Sequence, residues 1–184
     1  MHPQPPPTLR ILATILSLTA TYPVLAVVGE TQTQYQQRYG KPTHEMAVDV
    51  DHPGFIYKKK PYVIYAAFSG EVSVGEMIFK PNANLSDVDI AQLLKQNSPG
   101  WSWRKENIVQ SKGDAETMQN MKILKLEMWS RIDGQSFATH VQSYTGEGKD
   151  RIPMDILLIG TQEGVDLVTQ MSKMNQQWVP KPVK

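Results

Sequence analysis

The chain contains no cysteine. That excludes disulfides, thiol nucleophiles, zinc ribbons and iron–sulfur centres together, and with them the lipidated cysteine of a lipoprotein. Charge of one sign is equally lacking. The formal net charge is +1, and Arg10 is the only charged side chain before residue 27. Nucleic-acid binders carry a marked basic excess, so nucleic acid is not an expected partner. No glycine-rich phosphate loop, Rossmann fingerprint or His-Glu-x-x-His motif is present. After residue 26 no run approaches the roughly 20 apolar residues of a membrane span.

What is present begins with an address. Residues 11–18 form a mostly apolar run after a basic, acid-free start, and Val24-Leu25-Ala26 offers a cleavage site. This is the pattern of a secretory signal peptide over 1–26. The expected location is therefore periplasmic or secreted. Residues 27–175 are expected to form a single α+β domain, and 176–184 a frayed, proline-bearing tail.

The next stretch is an opening helix with its own punctuation. Thr31 suits the N-cap and Gln34 completes a capping box. Gly40 suits a positive φ just past the helix, and Pro42 stops it. The connection 43–51 is polar and acidic and reads as a loop. Strand patterns follow at 55–57, 62–68 and 71–79, with Val72, Val74 and Ile78 assigned to one face of the third. A second helix spans 85–97, N-capped by Ser86, with Ile90, Leu93, Leu94 and Asn97 on one stripe. Residues 109–120 read as a loop. Strands at 121–131 and 137–143 flank the Asp133-Gly134 hairpin turn, and 145–151 reads as a polar insertion. Ile156 to Ile159 is a central-strand candidate. A last helix at 165–174 presents Val165, Val168, Met171 and Met174. The pattern is short helices packed on antiparallel sheet, as two helix-plus-three-strand units about 55 residues apart.

The pattern Gly-x-Thr-x-x-Gln-x-x-x-x-Tyr-Gly-x-Pro at 29–42 resembles the helix opening of small periplasmic SmpA/OmlA-type domains. Those include the small lipoprotein of the outer-membrane β-barrel assembly machine, and they share the architecture of β-lactamase inhibitor protein. The whole chain resembles uncharacterised exported bacterial proteins with this opening. Its later landmarks are Ile90-x-x-Leu93-Leu94-x-x-Asn97 and Trp129-x-Arg131-x-Asp133-Gly134. The resemblance implies a helical layer on an antiparallel sheet and a non-enzymatic binding role. The chain departs from it in lacking the lipoprotein cysteine and in carrying a second set of strands.

Candidate chemistry is sparse. His44, Glu45, Asp49, Asp51 and His52 are metal-capable, but their spacing fits no metal motif, and no metal or cofactor is expected. His140 has Asp133 and Ser136 near it in sequence, without the second glycine of a nucleophile elbow. Glu30 with Glu45, or Glu71 with Glu76, could form an acid–base pair only by geometry. No enzymatic activity is expected. The candidate partner contacts are Lys58, Lys59 and Lys60 between Tyr57 and Tyr62, which suit an anionic surface, and Trp101 with Trp103. The expected function is a non-catalytic module that binds a protein or envelope component, with at most peripheral membrane contact. The alternative is a small-molecule or lipid carrier with a pocket between helix and sheet.

Overall fold

The computed structural model describes residues 27–107, 121–145 and 152–174. The expectations for the signal peptide, the 109–120 loop, most of the 145–151 insertion and the tail lie outside these residues. The described chain is an α+β fold of three helices on one antiparallel sheet of eight strands. In chain order the elements are α1 (Gln32–Tyr39), β1 (His44–Ala47), β2 (Pro53–Lys59), β3 (Tyr62–Ser69) and β4 (Val72–Phe79). Then come α2 (Asp87–Gln96), β5 (Trp103–Lys105), β6 (Met121–Arg131), β7 (Phe137–Thr145), β8 (Ile152–Gly160) and α3 (Gln162–Met174). The sheet order is β1-β2-β3-β4-β8-β7-β6-β5. Each of the first two helices is thus followed by four strands rather than three. The additions, β1 and β5, are short strands at the two sheet edges.

Both early helices form where their caps direct. Thr31 accepts from the Gln34 amide while the Gln34 side chain accepts from the Thr31 amide; Ser86 and Asp89 do the same for α2. Each reciprocal cap satisfies donors that a helix start leaves open. Gly40 follows α1 with φ 80° and ψ −168°. The positive φ is as expected, but the ψ is extended, a region essentially reserved for glycine.

The sheet buries both faces. On one, α1 and α2 bring Tyr35, Tyr39, Ile90, Leu93 and Leu94 onto Phe55, Tyr57, Ile64, Phe68, Ile78, Leu157 and Ile159. On the other, Leu167, Val168 and Met171 of α3 cover Ile56, Val63, Tyr65 and Met77. Each such side chain contributes about 1.5–3 kcal/mol when fully buried. The face of α3 is turned from the expected one: Gly164 and Leu167 are buried, and Met174 is exposed.

The β4 face also differs from expectation. A bulge opposite Ala67 and Phe68 leaves Val74 unpaired. An extra residue reverses the alternation of a strand. Val74 therefore packs on the α3 side, while Ile78 joins the α1–α2 core. The Val74 carbonyl accepts from the Thr161 amide at 3.0 Å, and Thr161 then caps α3 by accepting from Gly164 N at 3.1 Å. The helix start lies flush on the strand. A Cβ on Gly164 would sit 1.9 Å from the Val74 oxygen, so glycine is required by space rather than by torsion.

Candidate functional site

The three indoles Trp101, Trp103 and Trp129 meet in an open groove of about 630 Å³ at the C-terminal end of α2. Local sequence builds it. Asn97 ends α2, and the Trp101 amide donates to the Ser98 carbonyl at 2.9 Å. Pro99 occupies the second turn position and Gly100, with φ 83°, the third. This is the residue pattern of a type II turn. It delivers the chain to β5 with Trp101 at the rim, 52% exposed. Trp103 is fixed by donating its Nε1 hydrogen to the Leu94 carbonyl at 2.7 Å, which also satisfies a helix-end acceptor. Trp129 is half-buried, with the Lys105 ammonium 5.7 Å from its ring centroid, within cation–π range. Ala91, Leu94, Lys95, Ser98 and Ser102 complete the walls.

The charges around the groove are unevenly committed. Lys105 donates to Glu127 at 2.6 Å. Arg104 pairs with Glu106 at 3.1 Å, and Ser130 also donates to Glu106. Lys95 has no acidic partner among the described residues.

The other candidate contacts are placed differently. Lys58, Lys59 and Lys60 are exposed at the β2–β3 turn. Tyr57 is fully buried, its ring packed against both Tyr35 and Tyr39, so it is removed from any partner surface. Tyr62 is half-buried and donates to Asp89 at 2.6 Å. The basic tip is therefore without free flanking aromatics. The alternation that made Tyr57 a strand residue also placed it on the inward face.

The histidines separate. His44 lies exposed on β1 beside Thr43. His52 bridges Asp49 through Nδ1 at 2.7 Å and Glu163 through Nε2 at 3.0 Å. These hydrogen bonds, the one donated to Asp49 foremost, raise its pKa above the usual histidine value. Because its two nitrogens face opposite ways, the two carboxylates hold the ring from either side. Among the described residues no group of three or more His, Asp and Glu side chains converges on a common ion position.

His140 is fully buried. Its Nε2 lies 2.8 Å from Asp155 and its Nδ1 3.4 Å from Glu127. Asp155 also accepts from Leu85 N at 3.1 Å and Gln142 at 2.9 Å. Asp133 turns instead to Arg131 at 2.8 Å. So His140 meets carboxylates but no hydroxyl among its described partners. The cluster stitches β6, β7 and β8 to the approach of α2. Burial would raise the Glu127 carboxyl, yet hydrogen bonds from Lys105, Lys125 and His140 outweigh it and hold it at about 2.

Among the described residues the fully buried acid is Glu76, on the α1–α2 side of β4. It accepts from the Tyr35 hydroxyl, and Asn97 Nδ2 approaches at 3.5 Å. Asn97 in turn accepts from Val28 N at 3.1 Å. Burial dominates and pushes the Glu76 carboxyl up to about 7. Nearby, Glu30 pairs with Arg38, and the buried Tyr39 hydroxyl has no hydrogen-bond partner among the described residues. Glu45 and Glu71 remain exposed. Sequence reading missed Glu127 and Asp155, offered Glu76 only as a partner of Glu71, and gave Trp129 only as a landmark rather than a site residue. The signal available for Glu76 was its parity with Ile78, two residues on.

No helix among the described residues is long and apolar enough to cross a membrane. No family model matches the chain, and no curated protein matches it. Among solved structures, a cysteine-rich secretory protein from Staphylococcus aureus is similar at 10% identity and a TM-score of 0.39. That similarity covers 74% of this chain and 45% of the staphylococcal one.

Proposed function

We propose that this protein is an exported, non-catalytic binding module, periplasmic or secreted, that engages a protein or envelope component through the Trp101–Trp103–Trp129 groove. The observation that carries the reading is the rim position of Trp101, a large indole left half in solvent beside two indoles held by the fold. Tryptophan is enriched among residues that dominate binding energy. Such a cluster is expensive to leave wet unless something covers it. The reading also keeps the SmpA/OmlA-like resemblance and treats the chain as two helix-plus-meander halves.

A small-molecule carrier remains the second reading, on one observation. The groove volume of about 630 Å³ falls within the range of ligand pockets. The groove is open at the end of α2 rather than enclosed between helix and sheet, which favours a macromolecular contact.

The test is affinity capture from the native cell envelope, at low and high salt, with wild type, Trp101→Ala and a triple Lys→Ser change at residues 58–60. The expected result is a partner that survives salt and the lysine changes and is lost with Trp101→Ala. Capture abolished by salt and by the lysine changes, but not by Trp101→Ala, would transfer the function to the basic tip.

A further inference from the structure

We infer that the groove and the outer edge of β5 together receive an extended acidic peptide, added to the sheet as a further strand. The inference rests on the binding-module reading and names the partner class for the same site.

The first support is backbone geometry. Among the described residues β5 ends the sheet, with β6 on one side and no strand on the other. Its pairing places Arg104 opposite Ser130. The Ile132 amide donates to the Ser102 carbonyl and the Glu106 amide to the Met128 carbonyl. Residues 102, 104 and 106 therefore spend their backbone groups on β6. In an antiparallel ladder the intervening residues point the other way. Trp103 and Lys105 each present an N–H and a C=O outward, the arrangement that accepts an added strand.

The second support is what stands beside that edge. Trp103 and Lys105 share the sheet face of Trp129, which pairs with Lys105 in register. Alternate side chains of an added strand would lie on this face and meet the indoles. The opposite edge, β1, carries His44, Glu45, Met46 and Ala47 and offers no comparable aromatic wall.

The third support is charge. Lys95 in the groove wall has no acidic partner among the described residues, and Arg104 and Lys105 lie on the strand itself. Glu106 and Glu127 are already engaged by Arg104, Lys105 and Lys125. Arg104 and Lys105 are matched by those same acids, and Lys95 is left as the cation beside the edge with no acidic partner among the described residues. Exposed charges contribute little affinity but discriminate between partners of opposite sign. An acidic strand is accepted and a basic one refused.

The experiment is fluorescence polarisation with a labelled heptapeptide, Glu-Thr-Phe-Thr-Glu-Thr-Glu, whose phenyl ring and carboxylates share one strand face. It is run beside its Lys-for-Glu counterpart and a version N-methylated at alternate backbone nitrogens. Protein variants are Trp101→Ala and Lys95→Glu, both at exposed positions, with folding checked by circular dichroism. The acidic peptide is expected to bind about tenfold or more tighter than the basic one. N-methylation, Trp101→Ala and Lys95→Glu should each weaken it. Equal binding of acidic and basic peptides, or indifference to N-methylation, overturns the inference. A second probe, the tetramer of β-1,4-linked N-acetylglucosamine, separates the two readings. Trp101-dependent binding of that saccharide with no peptide binding overturns strand addition and leaves the binding module standing. No Trp101-dependent binding of either probe, with Trp101-independent capture from the envelope, removes both.

Discussion

Removing the charge of Glu76 should make the protein more stable above neutral pH, less so in mild acid, and leave it nearly unchanged below about pH 4.5. Glu76 is wholly buried. Facing it are Tyr35 and Tyr39 from α1, Asn97 from α2, and the Glu30–Arg38 pair. Burial raises its carboxyl from 4.5 to about 7. An acid whose folded pKa is raised binds its proton more tightly in the folded state. Its ionisation therefore costs stability as pH rises above the unfolded value, and the cost levels off above the folded value. The window runs from about pH 4.5 to pH 7. At 1.36 kcal/mol per pKa unit, the full cost is on the order of 3 kcal/mol. Glu76→Gln keeps the shape and an acceptor for the Tyr35 hydroxyl. The assay is urea unfolding of wild type and variant at pH 5.5 and pH 8. Wild type should lose about 2 kcal/mol relative to the variant across that interval, since part of the ionisation cost is already present at pH 5.5. Parallel stability profiles would show that Glu76 keeps its charge by solvation or pairing not seen here, and would refute the reasoning.

Other predictions test the packing and the surface. Gly164→Ala should cost about 3 kcal/mol, the upper part of the usual overpacking range, because the added carbon meets the Val74 backbone. Gly54→Ala should cost far less, since its neighbour is the flexible end of Met171; denaturant midpoints of the two variants compare them directly, and equal losses would count against the flush α3 contact. Gly40→Val should cost about 1–3 kcal/mol from backbone torsion alone, as nothing lies within 4 Å of its added carbon; an unchanged melting curve would deny the positive φ. His52 should titrate by NMR above the usual histidine value, and Glu163→Gln should lower its midpoint while Asp49→Asn lowers it further. Its bridge helps at acid to neutral pH and is lost as pH rises through the raised pKa.

Much of the fold was legible where a local signal sufficed. Thr31 with Gln34 and Ser86 with its helix specify two starts without any tertiary information. The stripe Ile90, Leu93, Leu94 and Asn97 is wholly buried, as its spacing requires. Leu157 and Ile159 occupy the expected inner strand. β1 and β5 were not legible, because strands of four and three residues carry too little alternation to stand out. The β4 face failed at the Val74 bulge, where one extra residue reverses parity without altering composition. Thr161 went unread as a cap because Gly164 lowers the helical signal at the start of α3. Of the site, Trp101 and Trp103 were visible as a pair. Trp129 joins them only through β5–β6 pairing, more than twenty residues away in sequence. The acids around His140 were hidden for the same reason, since they come from neighbouring strands rather than from its own.

The sheet order has a consequence for how the chain comes to be folded. β4 receives its second neighbour from β8 alone, pairing Gly75 with Gly160 and Phe79 with Ile156. That partner is made some eighty residues later. As the chain emerges from N to C terminus, the first helix and four strands can assemble while one side of β4 stays open. An open edge is a template for pairing between chains, and non-local pairing is slow. The first half must therefore wait, unpaired and prone to aggregate, until the last strand arrives. The same delay means that β8, with α3 behind it, is the latch that turns two meanders into one sheet. A chain truncated before residue 152 should collect as aggregate rather than as a smaller folded domain.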